Sequence, residues 1–259
     1  MINIKTREEI EIMREGGRIL AEVLFEVVKN AKIGTSELEL DQMAEKLILA
    51  KGAEPGFKKV GGYKYTTCIS TNDVVVHGIP TAYRLRENDV IGIDCGVYHK
   101  GFHTDMAQTL RVSNQKSKIK NQKEKEIDEF LKIGESAMWE GIRAAKAGKR
   151  VGDISKAVQD TVEGQGYSVV RSLVGHGVGK ELHEKPEIPG FLREPISQTP
   201  KLENGMTLAI EVIYNMGKSD VALSGDNWTI KTKDHSLSGL FERTIVIAEG
   251  KPLVLTRPI

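Results

Sequence analysis

Apolar positions recur at helical spacing near the start of the chain and again past its middle. The first stretch follows Thr6-x-x-Glu9, which has the pattern of a capping box, and Ser36-x-x-Glu39 opens a second stretch in the same way. A lysine-glycine pair ends that second stretch, as is typical of helix C-termini. Four helices are therefore predicted, at about residues 7–30, 36–51, 127–147 and 152–165.

Strand-like runs lie between and after these helices. Residues 66–77 and 90–112 are rich in β-branched side chains, and strand-like runs dominate from residue 168 onward. Residues 113–126, SNQKSKIKNQKEKE, are polar with five lysines and predict an exposed connector. Helices combined with mostly antiparallel strands indicate an α+β fold.

The two parts of the chain repeat one order of features. Each has helices, a glycine-rich stop, a strand and a His-Gly pair, which begins at His77 and at His176. A Glu-Asn turn follows, and then an apolar strand with a central acid, Asp94 in the first part and Glu211 in the second. We interpret this order as a faint internal duplication within a single domain over 1–259. The halves would span about residues 1–112 and 127–259.

The composition argues against a membrane or nucleic-acid-binding protein. Of 259 residues, 39% are hydrophobic and 28% charged, and the net charge is +1. That charge does not point to DNA, no apolar run spans a bilayer, and the N-terminus lacks the core of a signal peptide. The only cysteines, Cys68 and Cys95, predict no disulfide framework and favour a reducing cytoplasm.

Asp94 and Asp105 lie in an apolar stretch, IDCGVYHKGFHTD, where acids are rare. The midpoint between them falls between His99 and Lys100, so a symmetric hairpin would place the two acids directly opposite each other. Two such carboxylates repel in a dry site unless one is protonated or a cation neutralises them.

Two further acids, Glu211 and Glu242, occupy similar contexts, LAIEVIY and LFERTIV. Buried acids are costly unless they are paired or metal-bound. With His176, flanked by glycines, the site would hold four carboxylates and one imidazole, and two divalent cations would balance its charge. Dinuclear sites of this kind activate water and polarise a carbonyl or phosphoryl oxygen. His77 and His183 remain as acid/base or oxyanion-stabilising groups.

Each of these residues also has an ordinary structural explanation. A single strand carboxylate is usually a surface residue, and a histidine beside glycine is more often a turn residue than a ligand. The functional interpretation rests on four mid-strand acids and three histidines in a repeated order, which together favour a metal hydrolase.

The motifs occur in an order that resembles a known family. VVHGIP, IDCGVYHKGFHTD, GHGVGKELHEKP, AIEVIYN and FERTIVI follow one another over nearly the whole chain, as in type I methionine aminopeptidases. The resemblance implies the pita-bread fold, in which pseudo-twofold halves form an antiparallel sheet covered by helices. It also implies removal of the N-terminal methionine from nascent proteins, preferably when the second residue is small.

The resemblance assigns metal ligands residue by residue. It implies two divalent ions, drawn from Co, Mn, Fe, Zn or Ni. Asp105 and Glu242 would bridge both ions, and Asp94 would complete one of them. His176 and Glu211 would complete the other, and Glu211 would also act as the general base.

Further residues have roles by the same resemblance. His77 would contact the substrate and assist proton transfer near the N-terminal amine or the leaving group. His183 would hydrogen-bond the scissile carbonyl. Tyr63, Cys68 and Trp228 would line the pocket for the methionine side chain, whose thioether suits polarizable and aromatic surfaces.

Two positions depart from the family pattern. Leu182 stands where many bacterial members carry phenylalanine, and Val60 where an aromatic is common, so we expect a wider methionine pocket. Asn72, Val74 and Ser238 match positions whose oxygens hold a monovalent cation in some members.

Other functions remain open at this level. An X-Pro aminopeptidase or prolidase of the same fold usually carries an additional N-terminal domain, for which this chain has no room. A non-catalytic binding protein on this scaffold would be expected to have lost ligands. We expect a cytoplasmic monomer that acts on nascent polypeptide N-termini and contacts the ribosome transiently through the lysines of 113–126.

Overall fold

The structure is a computed structural model that describes residues 2–113 and 121–257. The helices are α1 (Arg7–Asn30), α2 (Glu37–Ala50), α3 (Gln122–Ala144) and α4 (Val151–Glu163). The strands of the first part are β1 (Glu54–Pro55), β2 (Thr67–Thr71), β3 (Val74–Val76), β4 (Val90–His99) and β5 (Phe102–Arg111). The later strands are β6 (Ser168–Val169), β7 (Val174–Gly177), β8 (Glu184–Pro189), β9 (Thr207–Asn215), β10 (Val221–Leu223), β11 (Ile230–Thr232), β12 (Ser238–Val246) and β13 (Leu253–Val254).

A ten-stranded sheet organises the fold. Its main order is β1-β4-β5-β12-β9-β7-β8, with β2 beside β4, β6 beside β9 and β13 beside β12. A smaller sheet has the order β10-β11-β3, and every pairing among the described strands is antiparallel. The predicted α+β class, with an antiparallel sheet covered by helices, is confirmed.

Side-chain alternation separates the two faces of this sheet. Ile93 of β4 packs in one buried cluster with α1 and α2, and Val212 of β9 packs in another with α3 and α4. Because successive side chains of a strand point to opposite faces, Asp94 and Glu211 point away from the helices. The acids therefore share the face that the helices leave uncovered.

The β5–β12 pairing, called the seam below, joins the two parts of the chain. Strand β5 belongs to the part that contains α1 and α2, and β12 to the part that contains α3 and α4. Across the seam, Ala107 stands opposite Glu242 and Met106 opposite Arg243. The seam therefore lies at the centre of the sheet, and the strands on both of its sides carry acids.

The predicted helix starts are confirmed for α1 and α2, where Thr6 and Ser36 each form the expected capping box. Helix α3 begins earlier than predicted because Asn121 caps it, accepting a hydrogen bond from the Glu124 amide at 3.0 Å. Residues 122–126 are thus helical, and the prediction of a connector there was wrong. The rest of the lysine-rich stretch, 114–120, lies outside the described residues. Among the described helices, none has both the length and the apolarity of a membrane span.

The β4–β5 hairpin differs from the prediction in its register. His99 pairs with Phe102, and the two turn residues, Lys100 and Gly101, both have positive φ, 46° and 94°. Such a two-residue turn sets the register, and glycine suits its second position. The prediction that Asp94 and Asp105 stand directly opposite each other was therefore wrong. The register places them two residues apart, which keeps both on one face because the side-chain period is two.

Candidate active site

A cavity of about 270 Å³ lies on the uncovered face of the sheet. It brings together every residue predicted for the site, including those from both sides of the seam. These residues are Tyr63, Cys68, His77, Asp94, Asp105, His176, His183, Glu211, Trp228 and Glu242.

One row of the sheet carries three of the four carboxylates. Asp94 is paired with Ala107, Ala107 with Glu242, and Glu242 with Glu211, across strands β4, β5, β12 and β9. Directly paired residues project from the same face, with Cβ atoms about 5 Å apart. Asp105 precedes Ala107 by two residues on β5 and therefore projects from the same face, in the adjacent row. Asp94, Asp105 and Glu242 therefore flank the short side chain of Ala107, and Glu211 lies beyond Glu242.

The imidazole of His176 joins this group from β7. Asp105, His176 and Glu242 each offer one ligand atom, and these atoms lie within 4.8 Å of one another. His176 Nδ1 lies 2.9 Å from the Gly177 carbonyl oxygen, so the Nδ1–H donates there and Nε2 keeps its lone pair. This arrangement matches how metal-binding histidines are usually oriented.

The four carboxylates are buried close to one another, with Arg243 near Glu242. Burial raises the pKa of all four, to about 7 for Asp105 and about 8 for Glu211. Repulsion from the neighbouring acids raises the pKa of Asp94, Glu211 and Glu242 further. Among the described residues, no lysine or arginine forms an ion pair with any of them. The nearby Arg243 donates to the carbonyl oxygens of Ala107 and Glu242 and to the Gln108 side chain.

The donor set fits divalent metal ions. Asp94 Oδ1 is buried without a hydrogen-bond partner among the described residues. A buried oxygen of this kind is costly unless a proton or a cation satisfies it. Four carboxylates and one imidazole are hard and borderline ligands suited to Mn, Fe, Co or Zn.

Thr244 fixes the backbone beneath Asp105. Its hydroxyl accepts from the Asp105 amide at 2.9 Å and donates to the Asp105 carbonyl oxygen at 2.8 Å. The Met106 amide in turn donates to Asp105 Oδ1 at 3.0 Å. Sequence reasoning missed Thr244 because these contacts join positions 139 residues apart.

His77 and His183 both line the cavity as neutral side chains. The His183 ring lies 4.4 Å from that of His176, and burial lowers the pKa of both His183 and His77. His77 follows β3 with φ at 56°, an unfavourable backbone conformation that costs about 1–3 kcal/mol. At the next residue, Gly78, a Cβ would collide with the Ile69 carbonyl oxygen. The strained turn therefore directs His77 into the cavity.

An apolar pocket forms one end of the cavity. Phe57, Tyr63, Cys68 and Leu182 form a buried cluster, and Val60 and Trp228 pack against it. The Tyr63 hydroxyl donates to the Thr67 carbonyl oxygen at 2.7 Å, and its ring lies 5.2 Å from that of Trp228. Because the polar end of Tyr63 is satisfied, the pocket presents apolar and aromatic surface to a ligand.

Some lining residues were not identified from the sequence. Phe57, Ser172 and Leu173 also face the cavity, but no motif distinguishes them from ordinary core and loop residues. Asn72 and Ser238, predicted to neighbour a monovalent cation, do lie together, since the Ser238 amide donates to the Asn72 carbonyl oxygen at 3.0 Å.

Comparison with known proteins agrees with this geometry. The profile of "Metallopeptidase family M24" matches residues 11–249, and a methionine aminopeptidase of Bacillus subtilis is 43% identical over 99% of this chain and 100% of its own length. The chain belongs to metallopeptidase family M24, among the methionine aminopeptidases. A methionine aminopeptidase of Clostridium perfringens is 41% identical over 99% of both chains.

Solved structures of this family separate two kinds of relative. The methionine aminopeptidase of Thermotoga maritima superimposes with a TM-score of 0.92 at 37% identity, over 99% of this chain and 100% of that one. The prolidase of Pyrococcus furiosus gives a TM-score of 0.76 at 25% identity, and only 66% of that chain is covered. The fold is thus the shared pita-bread fold, and full-length agreement is with the methionine aminopeptidase.

Proposed function

We propose that this protein removes the N-terminal methionine from nascent polypeptides by metal-dependent hydrolysis. The observation that carries the proposal is the meeting of the five proposed ligand side chains and an apolar pocket in one cavity. The ligands account for the reaction, and the pocket beside them accounts for the selection of methionine.

The proposed ligands of two divalent ions come from five strands. Asp105 and Glu242 would be shared by both ions, Asp94 would complete one, and His176 and Glu211 the other. When bound, the ions supply Lewis-acid chemistry, polarising the first carbonyl of the substrate and lowering the pKa of water. Availability rather than affinity is expected to select the metal among Co, Mn, Fe, Zn and Ni.

Three side chains of the protein would move or stabilise charge during hydrolysis. Glu211 would accept a proton from the attacking water as general base, since its carboxylate lines the cavity beside Glu242. Neutral His183 donates an N–H hydrogen bond to the oxygen on which negative charge develops. His77 assists proton transfer near the N-terminal amine of the substrate or the leaving group.

Selection of the first and second residues follows from the shape of the cavity. The pocket between Tyr63, Cys68 and Trp228 would accept the unbranched thioether side chain of methionine. Leu182 and Val60 make this pocket wider than an aromatic pair would. The second residue, preferably small, would lie near Ser172 and Leu173, which also line the cavity.

Further parts of the proposal concern the setting of the enzyme. The chain would form a single metallopeptidase domain whose two halves arose by duplication, and would act as a cytoplasmic monomer. Oxygens of Asn72, Val74 and Ser238 would hold a monovalent cation. Transient ribosome contact would involve the lysines of 113–126, of which Lys123 and Lys125 lie in the first turns of α3.

A peptide panel tests the function directly. The metal-titrated enzyme is expected to release methionine from Met-Ala-Ser and to leave Leu-Ala-Ser and Xaa-Pro peptides largely uncut. Cleavage of Xaa-Pro peptides with no release of methionine would instead identify a prolidase-like enzyme. Binding of Met-Ala-Ser without turnover at any metal concentration would indicate a non-catalytic scaffold.

The dinuclear site has its own test. Asp105→Ala is expected to abolish metal uptake, measured by elemental analysis after dialysis, and turnover with it. Asp220→Ala, which removes an exposed acid before β10, serves as the matched control and should retain both. Full activity of Asp105→Ala would contradict the assignment of shared ligands.

A further inference from the structure

The first residues of the chain are attached to the connection that carries His183. Lys5 Nζ lies 2.5 Å from Glu184 Oε2, and the two side chains are only 4% and 5% exposed. Asn3 Nδ2 donates to the same oxygen at 3.1 Å, and the Glu181 amide donates to the other oxygen at 3.4 Å. Glu184, the first residue of β8, is therefore enclosed by donors from both the β7–β8 connection and the N-terminal segment.

The ion pair also packs directly on the backbone of this connection. A Cβ at Gly179 would lie 2.5 Å from Lys5 Cε and 2.6 Å from Glu184 Oε1, so only glycine leaves room. On its other side, the Gly179 carbonyl oxygen accepts from the His103 amide of β5 at 2.7 Å. The connection between β7 and β8 is thus held between β5 and the Lys5 side chain.

Lys5 itself is a fixed point. Its amide donates to the Gly205 carbonyl oxygen at 2.9 Å, and Ile4 forms a β-bridge with Met206. The next residue, Thr6, is the N-cap of α1. Lys5 is therefore held between a helix start and the turn that leads into β9, unlike a flexible surface lysine.

The His183 ring lacks comparable support. Within 2–113 and 121–257, no hydrogen bond to its imidazole is found, and its ring contact is with His176 at 4.4 Å. The position of the ring is consequently set by the backbone at residues 183 and 184. The next residue, Glu184, is anchored through its backbone by pairing with Gly177 and through its side chain by the ion pair with Lys5.

Energetics favour a positional role for this pair. Burial pushes the pKa of Glu184 upward, but hydrogen bonds from Lys5 and Asn3 outweigh it and leave that pKa below its ordinary value. The carboxylate is therefore charged in the folded protein. Buried ion pairs add little net stability, because desolvation offsets their attraction, and their best-attested contribution is to specify one arrangement.

We propose that the buried Lys5–Glu184 pair is a positioning device that holds His183 at the substrate carbonyl. Lys5 and Glu184 touch no reacting atom and act through the backbone of the β7–β8 connection. The inference rests on the proposed function, since it gives His183 the role stated there. It adds that the N-terminal segment preceding α1 contributes to the rate of hydrolysis.

The first test compares two lysines that serve the same region. Lys5→Met removes the buried charge and keeps the side-chain length, and we expect kcat on Met-Ala-Ser to fall about 10- to 100-fold, because small misplacements of catalytic groups cost this much. KM should change by less than about threefold, since methionine binding does not use His183 in this scheme. Lys180→Met is the matched control, because Lys180 lies on the same connection but is 72% exposed. Its kcat should equal that of the parent.

A second set of variants separates positioning from stability. Lys5→Met with Glu184→Gln leaves no unpaired buried charge, so this double variant should fold, yet its kcat should remain low. In a His183→Gln background, Lys5→Met should lower kcat by less than about twofold, because effects that share one pathway are not additive. A full additional loss in that background would overturn the proposal.

A spectroscopic readout makes the inference independent of activity. In histidine-labelled, Zn-loaded protein, the His183 ring signal is identified by its disappearance in His183→Gln. Lys5→Met should shift or broaden this signal, and Lys180→Met should leave it unchanged. An unaltered His183 signal in Lys5→Met would overturn the proposal. If the parent protein fails to release methionine from Met-Ala-Ser, the proposed function fails, and the ring signal still decides whether Lys5 positions His183.

Discussion

Ala107 stands directly opposite Glu242 across the seam of the sheet, and directly opposite Asp94 on its other side. It is fully buried on the face that carries the acids. A larger side chain at this point would occupy the space on which the carboxylates converge. The short side chain of Ala107 is thus part of the candidate metal site, although it offers no ligand atom.

Ala107→Val is expected to block metal uptake while preserving the fold. Added methyl groups in a packed core cost about 1–3 kcal/mol, which a domain of this size tolerates. Metal content after dialysis and turnover on Met-Ala-Ser should both fall, while circular dichroism stays unchanged. Ala222→Val on the exposed strand β10 is the control and should bind metal normally. Normal metal content in Ala107→Val would show that the ions lie away from this row.

Thr244→Val should weaken metal binding without removing a ligand. The substitution keeps the shape of the side chain but removes the hydroxyl that bonds both backbone groups of Asp105. We expect a loss of about 1–3 kcal/mol in the free energy of unfolding. Metal affinity should fall about 10- to 100-fold, as is usual for residues that orient a ligand. Calorimetric metal titration measures this affinity, and an unchanged value would contradict the role given to Thr244.

The metal-free protein should lose stability as the pH rises. Burial raises the pKa of Asp105 to about 7 and of Glu211 to about 8, so the folded state keeps protons that the unfolded state releases near pH 4. The free energy of unfolding therefore decreases between about pH 4 and pH 8, by up to about 1.4 kcal/mol per pH unit for each group.

Urea unfolding of the metal-free protein at several pH values measures this slope. Glu211→Gln removes one of the groups and should make the decrease shallower, whereas Glu203→Gln, at an exposed turn, should not. Saturating divalent metal should remove the decrease, because ligation favours the ionised carboxylates. A slope that is the same in Glu211→Gln and the parent would contradict the raised pKa of Glu211.

Leu182→Ala should relax the choice of the first residue. Leu182 packs against Phe57, Tyr63 and Cys68 at the apolar end of the cavity, so its loss enlarges the pocket. The preference for Met-Ala-Ser over Leu-Ala-Ser, expressed as a ratio of kcat/KM values, should fall roughly 10-fold. Stability should decrease by about 2–5 kcal/mol. Leu223→Ala, at a position that is 59% exposed, should change neither quantity, and a retained preference in Leu182→Ala would remove Leu182 from the pocket.

Local signals in the sequence were sufficient for much of the helical structure. Thr6 and Ser36 start their helices as predicted, because a capping box depends only on residues three positions apart. The same motif at Asn121 and Glu124 escaped notice within a lysine-rich stretch, and the start of α3 was misplaced. Mid-strand acids also predicted the residues that gather in the cavity, because a carboxylate in an apolar strand calls for a partner.

The pairing register of strands far apart in the chain could not be predicted from the sequence. Midpoint arithmetic for Asp94 and Asp105 ignored the turn type, which shifted the pairing by two residues. The row through Ala107 depends on the pairing of four strands, and no local pattern reports that. The Lys5–Glu184 pair joins positions 179 residues apart, so a lysine before a capping box gave no sign of it.

The candidate metal site would link the two halves of the chain across the seam. Asp94 and Asp105 approach it from one side, and His176, Glu211 and Glu242 from the other. Any cation that they hold in common is therefore also a crosslink that closes a large loop of the chain. Metal binding would then stabilise the association of the two halves and not either half by itself. Removing the metal with a chelator would accordingly weaken the association of the two halves as well as stop hydrolysis.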